Sequence, residues 1–547
     1  MLKIIPLGGM GNVTKNMYVY EQGNDILIVD CGIGFPDPTM LGVDLLIPDT
    51  TYLEARKNRI VGMLLTHGHD DHIAGLPYIL PKLGDIPIYA SKLTKGFAED
   101  RLRESFVTPN IIEIDNEPFR VGPFTIDPIH VTHSVPDARH FAITTEEGII
   151  YHGSDYKLDP HPIDGVVSDL EKIARIGEQG VTCLLSDSLR SEKAGHSRSE
   201  SLLADTFERE IQDASGKFIV TIMSSNVHRI QQAIDVCIKN NRRIAFIGRS
   251  VEQNVKTATR LGFLQLPPKA VINKRQIRKF KPHELAIIIA GSQGQEGSSL
   301  IRAAQGEHKF VTITPEDKVV FSADPIPGNE NAVYSLIDEL SRLGTDVAYT
   351  EISNDLHVSG HAYQDEIIKL IQLTRPKHLI PIGGTFRHMV QYRKLARKLG
   401  YPDTQIHLLE NGQAVNIISG EAKGAEVIPL RNIMVDGLGI GDVGTVVLRD
   451  RQTMAADGIL VVVVPVEQQT GAVRGKVEII SRGFVFMRQS QGLVQEIEEE
   501  VHRTLNRHHG FVSDWTSVRK KVETHLEIFL YEKTQRRPLI LTVVMEV

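Results

Sequence analysis

Four potential metal ligands lie within six residues of this chain: His67, His69, Asp71 and His72. Imidazole nitrogen and carboxylate oxygen are ligands that zinc prefers in catalytic sites, where an open coordination position holds water. A tight loop with this spacing can direct the first two residues at one ion and the last two at a second ion beside it. A polar surface loop is the alternative, but the density of ligands favours a two-metal hydrolytic site.

The elements around this loop are predicted to hold it in place. The unbroken apolar run from Ile60 to Leu65 indicates a buried strand, and the residues from Ile73 onward indicate the start of a helix. The ligands therefore lie in a strand-to-helix turn. Asp30 ends another apolar run and is expected to orient a ligating histidine, although a simple turn aspartate is equally compatible with that position.

Further acids and imidazoles follow later strands. His133, Asp155 and Asp187 each stand at the end of an apolar run. Each of them alone is weak evidence, because a single histidine or aspartate there is more often structural. Their order downstream of the metal loop favours His133 as a third imidazole and Asp155 as a residue able to bridge two ions.

From about residue 196 strands and helices alternate, which predicts a parallel sheet with ligands at the carboxyl ends of its strands. Small polar residues follow several of these strands and leave backbone N–H groups free for phosphate. Helix capping is the alternative for any one of these loops. The five cations between Lys274 and Lys281 are either a solvated helix face or a contact for a nucleic-acid backbone. The candidate phosphate-binding residues are Ser224, Ser225, Asn226, Ser292 and Gln293.

Composition limits the class of protein. A chain of 547 residues is too long to fold around a single hydrophobic core. Because the net charge is −7, any nucleic-acid contact is expected at local basic patches. The three cysteines are far apart, which argues against a disulfide framework and favours the reducing cytoplasm. No signal peptide is apparent before the first strand, and no apolar run reaches the length of a membrane span, so no membrane association is expected.

The pattern of predicted strands and helices divides the chain into five segments. Residues 346–420 are read as a return to the first domain, which makes the parallel-sheet module an insertion. The tail is predicted to contain two strands near 458–466 and 475–486, helices near 491–508 and 514–532, and a last strand at 538–546. The segments are residues 1–195 (first domain, first part), 196–345 (inserted domain), 346–420 (first domain, second part), 421–455 (linker) and 456–547 (small α+β domain).

The motifs in combination resemble those of the β-CASP branch of the metallo-β-lactamase superfamily, and within it the ribonuclease J family. They are HGHDDH, VTHS, GSDYK, SDS, SSNVHR, GSQG, PIPGNE and HVSGH, in this order. The resemblance covers essentially the whole chain. It implies an α/β fold: a metallo-β-lactamase αββα sandwich, an inserted β-CASP parallel-sheet domain and a small α+β C-terminal domain.

The resemblance also implies roles for individual residues. One zinc is expected on His67, His69 and His133, and the other on Asp71 and His72, with Asp155 bridging and Asp30 supporting the loop. Asp71, Asp187 and His361 are the expected catalytic residues. The expected contacts to the RNA backbone are His357, Val358, Ser359, Gly360 and His361.

One departure from the family pattern concerns the second metal. The family usually has a ligating histidine after the late strand, but this chain has Gly383 there. The family also commonly has a glutamate in the early turn, and residues 9–14 of this chain contain none. Glycine has no side chain to donate. The second ion is therefore expected to bind weakly or to be replaced by Mn²⁺ or Mg²⁺.

The function implied is that of a zinc-dependent ribonuclease in RNA processing and decay, with 5′-to-3′ exonuclease activity on 5′-monophosphate ends and endonuclease activity. His361 is the candidate general acid for the leaving 3′-oxygen. The apolar tail predicts self-association as a homodimer or homotetramer. Two alternatives remain: a catalytically weakened RNA-binding scaffold, suggested by Gly383, and a small-substrate metallo-hydrolase, which would not need the inserted domain.

Overall fold

The computed structural model describes residues 1–103, 105, 107–467, 473–485, 491–506 and 515–546. Contacts divide the chain into two compact units. One comprises Met1–Phe35 and Leu46–Ile433, and the other comprises Pro36–Leu45 and Met434–Val547. The finer domain boundaries taken from the sequence stay predictions.

Two sheets pack against each other in the first unit. Tyr20 and Leu64 of one sheet share a buried core with Phe124 and Leu185 of the other. The strands of the larger sheet are, in spatial order, Glu421–Val427, Gln413–Ile418, Leu2–Gly8, Met17–Gln22, Asp25–Val29, Ile60–Leu65, Ile88–Ala90 and Ile111–Glu113. The strands of the smaller sheet are His378–Ile382, Val181–Asp187, Gly148–Gly153, Arg139–Thr145, Phe124–His130 and Phe119–Val121.

Helices cover the outer faces of this sandwich. Residues of Leu170–Gln179, Gln364–Thr374 and Phe386–Lys398 form a second core with the smaller sheet. Lys92–Leu102 contacts the edge strands of the larger sheet. The predicted αββα sandwich is therefore confirmed. The remaining short elements of this part are Met10–Gly11, Leu45–Ile47, Thr51–Glu54, Lys57–Arg59, Asp70–Ile73, Leu76–Leu83, Gly384–Thr385 and Asp403–Gln405.

The inserted module is a five-stranded sheet in which all neighbours pair in parallel, as predicted. Its strands are continuous apolar runs because both faces are covered. The strand Asp346–Ala348 belongs to it, so the sheet extends past residue 345. The strand order is Arg243–Ile247, Leu285–Ile289, Phe218–Thr221, Lys318–Phe321 and Asp346–Ala348. The helical segments are Glu200–Leu202, Leu203–Gln212, Val227–Lys239, Arg249–Leu261, Lys274–Lys279, Pro282–Glu284, Ser299–Ala304 and Glu330–Arg342.

The second unit is a small α+β fold. Three of its strands form a sheet, in the spatial order Glu478–Arg482, Ile459–Val466 and Leu539–Glu546. One face of this sheet packs against two helices, Gln491–Asn506 and Trp515–Thr534. The predicted residues 486, 507–508 and 514 of these elements lie outside the described residues. No helix in the described part of the chain is long and apolar enough to cross a membrane.

The segment predicted as a linker differs from the prediction. It contains the short strands Ile433–Asp436 and Gly439–Ile440, but also a helix, Thr445–Asp457. Leu448 is the only buried residue described in that helix. A helix that buries a single side chain shows no apolar stripe in its sequence, so periodicity could not indicate it.

Candidate metal centre

The metal loop follows strand Ile60–Leu65 and leads into the short helix Asp70–Ile73. Asp30 lies at the end of the neighbouring strand, with a φ of 64° that few non-glycine residues adopt. Its carboxylate accepts hydrogen bonds from the backbone N–H of Thr66, at 2.8 Å, and from Nδ1 of His72, at 2.7 Å. The second bond leaves Nε2 of His72 unprotonated in the neutral ring, which is the form that binds a metal.

Three imidazole rings converge beside this loop. Nδ1 of His69 lies 3.1 Å from Nε2 of His67 and 3.1 Å from Nε2 of His133. Nδ1 of His133 donates to the carbonyl of Gly360 at 2.6 Å, so its Nε2 faces the others as a lone pair. Oδ2 of Asp155 lies 3.8 Å from Nε2 of both His67 and His133. Nitrogen lone pairs directed at one point are stabilised by a cation between them.

Burial keeps these rings neutral. It holds the pKa of His67 and of His133 well below the usual range, and the neighbouring imidazoles add to this effect. Burial also lowers the pKa of His69, to about 3. Neutral imidazole is the protonation state that metal binding requires, so this three-histidine group needs no deprotonation before it binds an ion at neutral pH. Burial would also lower the pKa of His72, but nearby carboxylates outweigh it and raise that pKa well above its usual value, so His72 must lose a proton to bind an ion.

A second group of ligands shares Asp155. Nε2 of His72 lies 3.5 Å from Oδ2 of Asp155 and 3.6 Å from Oδ2 of Asp71. The side-chain amide nitrogen of Asn16 lies 3.1 Å from the same Nε2. Both groups can hold a metal ion by the convergence of their donor atoms. The donors are nitrogen and oxygen, which fit zinc and, where oxygen dominates, manganese or magnesium.

Asp187 and His361 form a third pair at the same centre. Asp187 ends strand Val181–Asp187, and its Oδ2 accepts a hydrogen bond from Nδ1 of His361 at 2.7 Å. The same nitrogen lies 4.0 Å from Oδ2 of Asp155. Burial alone would lower the pKa of His361, but the two carboxylates outweigh it and raise that pKa above its usual value. His361 can therefore hold a proton at neutral pH.

Gly383 lies beside this centre. It follows strand His378–Ile382 with a φ of 63°, and a Cβ built on it would lie 3.6 Å from Oδ1 of Asp155 and of Asp187. His388 does not take the place of the missing side chain: its Nδ1 accepts from the backbone N–H of Thr385 at 3.2 Å at the start of helix Phe386–Lys398. His388 belongs to none of the potential metal groups among the described residues.

A cavity of about 1010 Å³ opens from the centre towards the inserted sheet. Asn226 and Gln293 each make a hydrogen bond within the protein. The side chain of Asn226 accepts from the backbone N–H of Arg229, and the side chain of Gln293 donates to the carbonyl of Asp324. The remaining predicted residues of the loops offer hydroxyl groups. All predicted substrate-binding residues line this cavity, namely Ser224, Ser225, Asn226, Ser292, Gln293, His357, Val358, Ser359, Gly360 and His361.

Sequence reasoning missed Arg229. This arginine is almost fully buried and pairs with Glu200 at 2.8 Å. Its guanidinium also donates to Nδ1 of His357 and to the carbonyl of Val358, each at 2.8 Å. It thus fixes the loop that carries His361. The SSNVHR motif contains this residue, but no local pattern indicates which distant loop it contacts.

Asn16 and Thr66 were also missed. The hydroxyl of Thr66 lies 3.0 Å from Nδ1 of His67 and 2.9 Å from Oδ2 of Asp30, so it links the loop to its support. Asn16 donates to the carbonyl of Asp71 at 3.3 Å as well as contacting His72. The position of Thr66 directly before His67 was a usable signal, whereas Asn16 is distant in sequence.

Family models match most of the chain. "Ribonuclease J, beta-CASP domain" matches residues 215–340, and "Ribonuclease J C-terminal domain" matches residues 446–547. "Metallo-beta-lactamase superfamily" matches residues 10–153, and "Zn-dependent metallo-hydrolase RNA specificity domain" matches residues 347–408. The inserted module and the tail thus each match a domain described for the same family.

Individual relatives match over the full length of the chain. Ribonuclease J2 of Bacillus subtilis is 36% identical, with 100% of this chain and 99% of the relative covered. Ribonuclease J of Helicobacter pylori is 36% identical, with 99% of this chain and 79% of the relative covered.

A solved structure shares the fold. A protein of unknown function from Enterococcus faecalis aligns with a TM-score of 0.51 at 16% identity, covering 76% of this chain and 99% of its own. At that identity it supports the fold alone, whereas the full-length relatives exceed 30% identity. The chain therefore belongs to the ribonuclease J family of metal-dependent ribonucleases.

Proposed function

We propose that this protein is a zinc-dependent nuclease that degrades RNA from a 5′-monophosphate end in the 5′-to-3′ direction and also cleaves RNA internally. One observation carries the proposal: three groups of potential metal ligands share Asp155, and each group has a member at the wall of a large cavity that reaches the loops of the inserted sheet. In this proposal His67, His69 and His133 hold one ion, and Asp71 and His72 hold the other.

The donor sets suggest which metals bind. Three neutral imidazoles with one carboxylate suit zinc, which takes three protein ligands and keeps an open position in catalytic sites. The second group has one imidazole and two carboxylates, and such oxygen-rich sites accept manganese or magnesium more readily. We therefore propose zinc at the first position and a weaker or exchangeable ion at the second.

In this proposal the residues of the site have different roles in phosphodiester hydrolysis. When bound, divalent ions supply Lewis acidity and lower the pKa of water, so that a nucleophile is available at neutral pH. Asp187 accepts from Nδ1 of His361 and orients the ring. The proton on Nε2 of His361 is then available for the leaving 3′-oxygen, as in general acid catalysis. Arg229 keeps the loop of His361 in place through His357 and Val358.

Hydrolysis of labelled RNA tests this proposal. RNA with a 5′-monophosphate and a 5′ label should release labelled mononucleotide, and circular RNA of the same sequence should be cut internally. A chelator should stop both reactions, and added zinc or manganese should restore them. RNA binding without cleavage at saturating metal would instead identify a binding scaffold, and hydrolysis of small esters without RNA cleavage would identify a small-substrate hydrolase.

The 5′ end is proposed to bind at two neighbouring loops. Strands Phe218–Thr221 and Leu285–Ile289 pair in parallel, so their carboxyl ends lie side by side and present Ser224, Ser225 and Ser292 to the cavity. Hydroxyl and backbone N–H groups at such positions bind phosphate. A triphosphate carries more charge and bulk than the monophosphate for which these groups provide donors.

We expect exonuclease degradation to be faster from a monophosphate end than from a triphosphate end. Ser225→Asp should slow degradation from the monophosphate end by repelling the 5′ phosphate, whereas Ser225→Asn keeps a neutral polar group and should preserve the wild-type rate. Initial rates on matched RNAs with the two ends provide the measurement. Equal wild-type rates for both ends would contradict the pocket.

The second unit is proposed to mediate self-association as a dimer or tetramer. One face of its sheet packs on helices, whereas the other face exposes 49% of Leu541, 38% of Val543 and 38% of Ile480. Contiguous exposed apolar side chains commonly mark an interface. These residues lie on the two edge strands of the sheet, and Val461 of the central strand pairs with both Ile480 and Leu541, so a partner would bury them as a continuous surface.

Leu541→Lys combined with Val543→Lys should convert the assembly to a monomer in light scattering at micromolar concentration, because two buried charges oppose the interface. Glu499→Lys, an exposed position on helix Gln491–Asn506, is the matched control and should leave the assembly intact. A wild-type protein that is itself monomeric at that concentration would refute the proposal.

We also propose a cytoplasmic location. Cys31, Cys183 and Cys237 are all buried and free. Three unpaired thiols fit a reducing compartment better than an oxidising one. Burial raises the pKa of each of these thiols well above its usual value, so they remain protonated and have no role as nucleophiles.

A further inference from the structure

One basic region remains outside the function described so far. Of the five cations between Lys274 and Lys281, only Lys274 lines the cavity, and it pairs with Glu252 at 2.6 Å. Arg275 and Lys279 are exposed on the same short helix and do not line the cavity. One cation of this cluster, Lys274, therefore faces the cavity without the others, and it shares the cavity wall with residues from a different segment.

That segment comprises helix Ser299–Ala304 and the loop after it. Arg302, His308, Lys309 and Phe310 line the same cavity as His69, Asp71 and His361 of the metal centre. Arg302 and Lys309 are exposed, and neither has a carboxylate partner among the described residues. Unpaired cations at the wall of a cavity attract an anion, because no local carboxylate neutralises them.

Phe310 ties this loop to the fold and positions the cations. Its partly buried ring packs against the core of the inserted sheet. Nζ of Lys309 lies 5.7 Å and Nζ of Lys274 lies 5.9 Å from the ring centroid, within the range of cation–π attraction. Both ammonium groups therefore lie close to the same ring, and its attraction restricts their motion, which reduces the entropy lost when they bind a ligand.

His308 adds a donor of fixed direction. Its Nδ1 accepts from the backbone N–H groups of Phe310 and Val311, at 3.3 and 3.2 Å, so the hydrogen of the neutral ring is on Nε2. Burial and the nearby Arg302 and Lys274 lower the pKa of His308, which keeps this tautomer at neutral pH. Among the described residues, none accepts a hydrogen bond from Nε2.

We propose that Arg302, His308 and Lys309 form an outer subsite for a backbone phosphate of single-stranded RNA, separate from the metal centre and from the loops that carry Ser224 and Ser292. Guanidinium, ammonium and imidazole N–H are all donors that suit phosphate oxygens. Since the subsite lies in the same cavity as the metal centre, an RNA chain that reaches the metals can engage it. The inference rests on the proposed function, because it assumes that RNA is the ligand.

The subsite determines how much RNA the protein holds. A substrate too short to reach it is bound by the metal centre and the 5′ loops alone. A longer chain gains one additional phosphate contact at the subsite, and this contact releases counterions from the RNA. For single strands the slope of log affinity against log salt concentration changes by about 0.7 for each phosphate contact. Removal of the two cations that hold this phosphate should thus reduce the slope by about 0.7.

Fluorescence anisotropy with labelled single-stranded RNA tests the subsite. Binding is measured in chelator, so that no cleavage occurs, for an RNA of about 15 nucleotides and for a dinucleotide with the same 5′-monophosphate. Arg302→Ala combined with Lys309→Ala should weaken binding of the longer RNA roughly tenfold and reduce the salt slope. Binding of the dinucleotide should be unchanged.

The matched control is Arg275→Ala combined with Lys279→Ala, which removes the same charge from exposed positions outside the cavity. This control should bind both RNAs as the wild type does. Arg302→Lys combined with Lys309→Arg keeps the charge and should restore most of the salt slope. Thermal unfolding of all variants should match that of the wild type, because the substituted side chains are exposed.

The outcomes separate the subsite from the proposed function. Wild-type binding and cleavage of RNA, with no difference between the cavity variant and its control, would refute the subsite and leave the nuclease function intact. An equal loss of affinity for the dinucleotide would also refute it, because the effect would then not depend on the length of the RNA. A wild type that neither binds nor cleaves RNA would refute both.

Discussion

His69→Ala is expected to reduce RNA cleavage by about a thousandfold or more while leaving the fold intact. The ring belongs to the three-histidine group, and its Nδ1 faces the nitrogens of both His67 and His133 at 3.1 Å. Without it, two imidazoles and a carboxylate remain. Loss of an ion that activates water and stabilises phosphate charge removes several kcal/mol of transition-state stabilisation. Turnover of labelled RNA at saturating zinc provides the measurement.

The same substitution should cost little stability. His69 begins the short helix Asp70–Ile73, and its hydrogen-bonding contacts are with His67, His133 and the hydroxyl of Ser134. Its removal therefore exposes no large apolar surface. In the metal-free protein it also relieves the crowding of nitrogen lone pairs. Thermal unfolding in chelator should thus give nearly the same midpoint for mutant and wild type.

His283→Ala is the matched control, since this histidine is exposed on the surface of the inserted module. It should retain wild-type turnover and wild-type metal content. Metal analysis of His69→Ala should show loss of the tightly bound zinc. Near-normal turnover of His69→Ala at saturating zinc would show that the three histidines do not hold the catalytic ion.

The metal loop was predictable because its ligands are close in sequence. His67, His69, Asp71 and His72 occupy one turn, so spacing alone indicates that they can share ions. Asp155 was a weaker inference, because its relevance depends on which strand ends meet in space. The structure brings it within 3.8 Å of His67 because the strands that precede the two residues lie in the two sheets that pack against each other.

Other parts of the site depend on tertiary contacts that no local pattern encodes. Arg229 contacts His357, which lies more than a hundred residues later. Its burial is explained by the carboxylate of Glu200 and by carbonyl groups of two distant loops. A sequence shows that such an arginine begins a helix, but not which loop its guanidinium will stabilise.

The basic cluster shows the same limit on the surface. Sequence places five cations together between Lys274 and Lys281, whereas the structure directs only Lys274 into the cavity. The cations that join it there, Arg302 and Lys309, are some thirty residues later and were not singled out. Charge density along the chain therefore identified the region but not the side chains that face the cavity.

Gly383 leads to the second prediction of large effect: the wild-type protein should retain about one tightly bound zinc per chain after dialysis. The group of Asp71, His72 and Asp155 contains a single imidazole. Gly383 contributes no donor, and Nδ1 of His388 is occupied by the backbone N–H of Thr385. The second ion should therefore bind more weakly, and activity should rise when zinc or manganese is added.

Gly383→His should raise the affinity of the second position for metal by about 10- to 100-fold. Mutation of residues that only hydrogen-bond to metal ligands already changes metal affinity by this much. A Cβ at this position would lie 3.6 Å from Oδ1 of Asp155 and of Asp187, which is ordinary van der Waals contact. The ring would thus start close to the carboxylate of Asp155. The positive φ of 63° opposes the change, at a cost of about 1–3 kcal/mol in stability.

Gly383→Ala is the matched control, because it carries the same backbone strain without a donor atom. Calorimetric titration of the metal-free proteins with zinc and then with manganese should show one tight and one weak site in the wild type and in the alanine variant. The histidine variant should show a stronger second site, and a rise in its midpoint of thermal unfolding when metal is added should exceed that of the control. Two equally tight zinc ions in the wild type would mean that another residue completes the second site, and the importance assigned to Gly383 would then be wrong.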